Sequence, residues 1–258
     1  MKICVLIKQV PDNDSAILLS GDNNGIKFDD ITWCTNESDT YALEEALLMK
    51  EAHGGEVVVC TFGQDSSRQV IKDALAKGAD RGLYVSDEGL DGFDILEMAK
   101  IFAQALKDEN FDLVFSGLQS NDAGNAQLGL LVAEMLDMSH AAMVMGTEVL
   151  SENRIKVKQE LEGGWYQWTE LDLPASITIQ SGLNKPRYAS LRGIMMMKKK
   201  PIDIFDTSQI TSRSEDHKIS LHRLYVPQKT KETTFIDGSP DEIANKLADI
   251  MINDIKVF

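Results

Sequence analysis

Glu56-Val57-Val58-Val59-Cys60-Thr61-Phe62-Gly63-Gln64-Asp65-Ser66-Ser67-Arg68-Gln69-Val70-Ile71-Lys72-Asp73-Ala74-Leu75-Ala76-Lys77-Gly78-Ala79-Asp80-Arg81-Gly82-Leu83-Tyr84-Val85 decides the fold. Glu56 to Gly63 is an apolar, β-branched run of buried-strand type, Ser66 to Lys77 reads as a helix, and Arg81 to Val85 as the next strand. The same unit recurs on both sides. Upstream, Lys2 to Ile7 is a buried strand, and a short hairpin follows, with Ile17 to Leu19 and Ile26 to Phe28 flanking Gly21-Asp22-Asn23-Asn24-Gly25. From Asp39, the apolar positions Ala42, Leu43, Ala46, Leu47 and Met49 recur at helical spacing until Gly54-Gly55. Asp39 stands where a residue would cap that helix. Downstream come a helix over Phe93 to Asp108, a strand over Phe111 to Ser116 and a helix over Ala123 to Met138.

Strands alternating with such helices imply an α/β fold with a mainly parallel, doubly wound sheet and helices on both faces, because right-handed crossovers pack back onto the sheet. Ligands of such folds sit on loops beyond the carboxyl ends of the strands. A β-rich extension follows, with strands over Met143 to Val149, Arg154 to Leu161, Tyr166 to Leu173 and Ser176 to Gln180. Residues 1–183 are thus expected to form an α/β domain. Residues 184–258 should be an extended C-terminal arm, without continuous periodicity until an amphipathic helix from Pro240 to Ile252.

The 258 residues, 43% of them hydrophobic, suffice for a sizeable core. The longest apolar runs fall far short of the roughly 20 residues that cross a bilayer, and Met1-Lys2 leads straight into a strand, so no membrane insertion and a cytoplasmic location are expected. Cys4, Cys34 and Cys60 stand apart, which argues against a disulfide framework or zinc site. A net charge of −15 opposes attraction to nucleic acid or anionic lipid.

Two loops could carry a ligand. Asn36-Glu37-Ser38-Asp39 opens a helix, where free amides favour anions, although Asp39 could simply cap it. Ser116-Gly117-Leu118-Gln119-Ser120-Asn121-Asp122-Ala123-Gly124-Asn125-Ala126-Gln127 combines small residues that permit close backbone approach with polar groups suited to a base, ribose or phosphate. It lacks a Walker or Gly-x-Gly-x-x-Gly pattern, and by spacing alone a generic turn fits equally well. His53, His140, His217 and His222 are scattered, no catalytic constellation stands out, and no metal site is expected. Glu44, Glu45 and Glu51 read as the solvated face of their helix. The methionine-rich stretch Leu191 to Met197 could be a pliable docking surface or a buried helical turn before Lys198-Lys199-Lys200.

Taken together, several segments resemble the β subunit of electron-transfer flavoproteins. They are Lys8-Gln9-Val10-Pro11-Asp12, Ala42-Leu43-Glu44-Glu45-Ala46, Ala74 to Arg81, Glu160-Leu161-Glu162-Gly163-Gly164, Leu173-Pro174-Ala175 and Asn184-Lys185-Pro186-Arg187-Tyr188, all in family order nearly end to end. The resemblance implies a non-enzymatic electron-carrier subunit, in a heterodimer whose α subunit binds redox-active FAD while this chain buries AMP. It places AMP contacts at Leu6, at Asn36, Glu37, Ser38 and Asp39, at Phe62, at Gly117, and from Gln119, Ser120, Asn121, Asp122, Ala123, Gly124, Asn125, Ala126 and Gln127 to Leu128. It also implies docking of a donor dehydrogenase through Tyr188, Ala189, Ser190, Leu191, Arg192, Gly193, Ile194, Met195, Met196 and Met197, with Leu191 as anchor, and restraint of the α-subunit flavin domain by Glu160. A quinone oxidoreductase or other acceptor would follow downstream.

Asn13 and Ser38 stand where some members carry a flavin-facing aromatic residue. A flavin-bifurcating branch holds a second FAD in this subunit, usually with Asp-Gly-Asp-Thr-Ala-Gln and without Asn-x-Pro-Arg-Tyr; the Asn121 to Gln127 loop and the intact Asn184 to Tyr188 motif favour AMP. The Gln119 to Asp122 loop and Tyr188 to Gly193 are most similar to bacterial members serving methylamine-type dehydrogenases. A stand-alone adenine-nucleotide-binding protein is the alternative outside this class.

Overall fold

Val57, Val58, Val59 and Cys60 are inaccessible to solvent on both sides of their strand, as a run without polar alternation requires. The computed structural model describes residues 1–21, 25–28, 31–88, 94–207, 210, 219, 221–228, 231 and 233–256. Two compact units result, Met1–His222 and Arg223–Phe258.

The first unit is built on a nine-stranded sheet. In chain order its strands are β1 (Lys2–Leu6), β4 (Glu56–Gly63), β5 (Arg81–Ser86), β6 (Leu113–Gly117), β7 (Ser139–Ser151), β8 (Arg154–Glu160), β9 (Tyr166–Asp172), β10 (Ala175–Ile179) and β11 (Ile202–Phe205). Across the sheet the order is β11-β5-β4-β1-β6-β10-β7-β8-β9. All pairs are parallel from β11 to β7, and β8 and β9 add an antiparallel flank. The helices are α1 (Glu37–His53), α2 (Arg68–Lys77), α3 (Ile95–Leu106), α4 (Leu128–Met135) and α5 (Leu191–Met197). Ile3, Val5, Val57 and Val59 pack against α1 and α2, whereas Cys4, Leu6, Val58 and Cys60 pack against α3 and α4. The expected α/β architecture is therefore present, and the β-rich extension continues the main sheet.

Several local expectations are corrected. The helix expected from Ala123 begins at Leu128, because Gly124 and Ala126 adopt positive φ and hold the preceding residues as a loop. Asn36, not Asp39, precedes α1, and the Asp39 carboxylate turns inward to other donors. Glu44 and Glu45 are buried, not solvated, because residues from beyond position 146 cover them. Ile202–Phe205, placed in an arm without periodicity, is a parallel edge strand, held by an Arg81 to Asp203 ion pair at 2.8 Å. A small antiparallel pair, β2 (Gln9–Pro11) with β3 (Trp33–Thr35), was not expected. The expected hairpin reduces to a Leu19–Ile26 bridge; its turn, residues 22–24, and His217 lie outside the described residues.

In the second unit, α6 (Pro240–Asp249) runs on into a wider turn over Ile250–Asp254. The Ser239 N–H donates to the Glu242 side chain at 2.7 Å, closing the first turn, and α6 buries none of its residues. Tyr225, Val226, Phe235, Leu247 and Ile252 are exposed.

Candidate functional site

Strand order reverses at β1: the chain moves outward to β4 and β5, then returns through α3 to β6 on the other side of β1. The loops leaving β1 and β6 therefore diverge, opening the crevice in which open α/β sheets hold ligands. A cavity lies there. It is lined by Leu6 at the end of β1, by Ile7 and Lys8 just after it, and by Ser116 and Gly117 at the end of β6. Phe62 closes one side with Ile95, Met98 and Phe102 of α3, and residues between Leu118 and Leu128 close the other.

The junction depends on Asp39. Its carboxylate accepts from the Lys8 amide at 2.8 Å and the Gly117 amide at 3.0 Å, tying the ends of β1 and β6 to α1. Burial pushes its pKa up to about 7, against the pull of hydrogen bonds from Lys8, Asn36 and Gly117. Gly117 is required here: a Cβ would lie 2.2 Å from Ser38 Oγ and 2.4 Å from Asp39 Oδ1. Asn36 and Ser38 hold the second loop. Asn36 Nδ2 and Ser38 Oγ both donate to the Gln119 carbonyl, at 2.9 and 2.7 Å, and the Asn121 amide donates to Asn36 Oδ1 at 2.9 Å.

Charge at the cavity is nearly neutralised. Lys8 Nζ lies 2.7 Å from the Asp122 carboxylate, and it also reaches Ser120 Oγ at 3.4 Å. Burial raises the Asp122 pKa, but hydrogen bonds from Lys8 and Ser120 outweigh it and hold the group below the usual carboxylate range. Ser116 is among the lining residues, and its Oγ is buried with no hydrogen-bond partner among the described residues, packed toward Gly129 of α4.

Of the residues singled out in the sequence, Leu6, Asn36, Asp39, Phe62, Gly117, Gln119, Ser120, Ala123, Asn125, Ala126, Gln127 and Leu128 line this cavity. Ser38, Asn121 and Asp122 support it through their hydrogen bonds, while Glu37 and Gly124 are exposed. Lys8, Ser116, Ile95, Met98 and Phe102 line it as well. Lys8 was visible only as part of a motif. The α3 residues carry the ordinary apolar signal of a core-facing helix, so nothing local distinguishes them.

The docking candidates lie elsewhere in the same unit. Tyr188, Leu191 and Met195 are 95%, 84% and 74% exposed, which removes the buried-turn alternative for this stretch. Ala189 precedes Ser190, whose Oγ accepts from the Gly193 amide at 3.0 Å and caps α5; Met197 packs inward, and Arg192, Ile194 and Met196 face solvent. Glu160 ends β8 and accepts from Gln180 Nε2 at 3.1 Å. Among the described residues no cluster of His, Cys, Asp and Glu could hold a metal, and no helix is long and apolar enough to cross a membrane.

The electron transfer flavoprotein domain model matches residues 26–210. The chain is 37% identical to the electron transfer flavoprotein subunit beta of Methylophilus methylotrophus, across 99% of each chain. It is 30% identical to that of Bacillus subtilis across the whole of both, and 34% identical to the mitochondrial subunit of Arabidopsis thaliana across 96% of this chain and 97% of the relative.

Proposed function

The chain belongs to the electron transfer flavoprotein beta-subunit family, and on that premise we propose that it holds AMP in the β1–β6 crevice while an α subunit carries the FAD that takes up and passes on electrons. The observation that carries this reading is the crevice itself, with mostly apolar walls and one lysine among its lining residues, already paired with Asp122. Such a lining suits a flat purine with one phosphate better than a polyphosphate, which needs several cations or a Gly-rich amide cradle. Leu6, Phe62 and Leu128 would offer apolar surface, and the amides and side chains of residues 117–127 would hold the polar groups. AMP supplies no redox chemistry. Its role would be to complete the packing of loops that the chain alone leaves open.

The exposed apolar face of Tyr188, Leu191 and Met195 supports docking of a donor dehydrogenase, with Leu191 as its anchor. Glu160 would restrain the flavin domain of the α subunit, and residues 184–258 would wrap that subunit; the exposed apolar residues of Arg223–Phe258 favour such a role. The chain itself would catalyse no reaction, would act in the cytoplasm, and would pass electrons toward a quinone oxidoreductase or other acceptor.

Acid denaturation of the co-purified complex tests the assignment. One AMP and one FAD per heterodimer are expected, with AMP retained by this chain. A second flavin recovered from this chain, or no adenylate, would overturn it.

A further inference from the structure

A seven-residue helix has too few internal hydrogen bonds to persist in water unaided. α5 also points its largest apolar side chains outward, so burial of its own residues does not hold it. Its conformation must be imposed from both ends. On the carboxyl side, Lys200 Nζ donates to the carbonyls of Leu75 at 2.9 Å and Ala79 at 2.5 Å, at the end of α2. In the middle, α5 lies so close to α2 that a Cβ on Gly193 would sit 2.0 Å from the Ala76 carbonyl oxygen.

The amino side is fixed by Arg187. Its Nε and Nη2 grip the Glu44 carboxylate at 2.9 Å each, its backbone N–H adds a third bond to Glu44 at 3.1 Å, and Nη1 reaches Glu51 at 2.5 Å. The Glu44 side chain is only 7% exposed, so its charge requires this partner. Asn184 Nδ2 binds the Tyr41 carbonyl and Glu45, each at 3.0 Å, which holds the preceding turn to the same helix. Arg187 stands one residue before Tyr188 and four before Leu191, and the guanidinium fork fixes direction as well as distance.

We propose that Arg187 is the positioning residue of the docking helix: by clamping α1 through Glu44 and Glu51 it presents Leu191 and Met195 in one fixed orientation before a partner arrives. This rests on the docking reading above, and it assigns to the buried Glu44 a purpose that a solvated helix face would not have. Preordering matters because a partner that must first order the segment binds more weakly in proportion to the ordered fraction.

Hydrogen exchange at the amides of residues 190–197, measured on the purified heterodimer, tests it. Arg187→Gln and Glu44→Gln should each raise exchange there about tenfold, the change expected if the population of the opened segment grows about tenfold. Amides of α1 and α2 should stay protected, and Arg187→Lys, which keeps the charge, should restore part of the protection. Glu51→Gln, which removes only an exposed arm, should give a smaller rise confined to the same residues if Arg187→Gln proves too unstable to purify. Exchange unchanged in both glutamine variants, or raised equally throughout α1 and α2, would overturn the proposal. Leu191→Ala separates the two ideas. If electron uptake from a bacterial methylamine-type dehydrogenase is slowed by Leu191→Ala but residues 190–197 exchange normally in the Arg187 variants, the docking reading stands and the positioning role falls. If Leu191→Ala changes nothing while the Arg187 variants loosen the segment, Arg187 orders the helix and the docking reading falls.

Discussion

Raising the pH through neutrality should weaken the protein through one carboxyl group, Asp39. In the folded chain its pKa is pushed up from 3.8 to about 7 by burial, so the native state binds a proton that the unfolded state releases. The sign follows: stability is greatest below the unfolded value and is lost as pH rises through the folded one. The whole shift corresponds to about 4 kcal/mol, at 1.36 kcal/mol per unit, and about 2.5 kcal/mol of it falls between pH 5 and pH 8. For a chain of this size that is a loss of about 5–10 °C in melting temperature. Glu109 and Asp122 do not confuse the window, because their pKa values are lowered from 4.5 and 3.8 and they stay ionised throughout it.

Asp39→Asn is the matching variant. It keeps one acceptor for Lys8 or Gly117 but turns an amide N–H toward the other donor, at a cost of about 1–3 kcal/mol for the orphaned group. It should therefore melt lower than the parent at pH 5, converge with it near pH 8, and show a flatter pH profile. Melting of the purified complex at half-unit pH steps reads both slopes. Parallel profiles for parent and variant between pH 5 and pH 8 would refute the assignment of this titration to Asp39.

Three further outcomes are expected. Gly117→Ala puts a methyl within 2.4 Å of Ser38 and Asp39, so it should cost about 1–3 kcal/mol and lower the adenylate recovered per chain, as measured by chromatography of the denatured complex. Glu109→Gln removes the carboxylate shared by Arg81 at 2.6 Å and Lys2 at 2.7 Å; a loss of about 1–2 kcal/mol in urea unfolding is expected, discounted because these groups are partly exposed. Leu191→Ala truncates a side chain that is 84% exposed, so the melting temperature should hold, whereas the KM for a methylamine-type dehydrogenase should rise by about 2 kcal/mol, roughly thirtyfold.

Strand and helix identity, the parallel sheet and the position of a crevice beyond β1 and β6 could be read from the chain alone, because each rests on local periodicity and on the handedness of crossovers. Gly54 stopping α1 belongs with them, since a positive φ of 72° needs only a residue without Cβ. Other features needed the folded chain. Glu44 and Glu45 look like ordinary helix carboxylates until Arg187 and Asn184, about 140 residues later, are brought over them. Asp39 resembles a cap until the ends of β1 and β6 supply its donors, and Ile202–Phe205 becomes a strand only because β5 offers it an edge. Periodicity is written between neighbours, whereas the partner of a buried charge is chosen by the three-dimensional approach of distant segments, which carries no signature in either segment by itself.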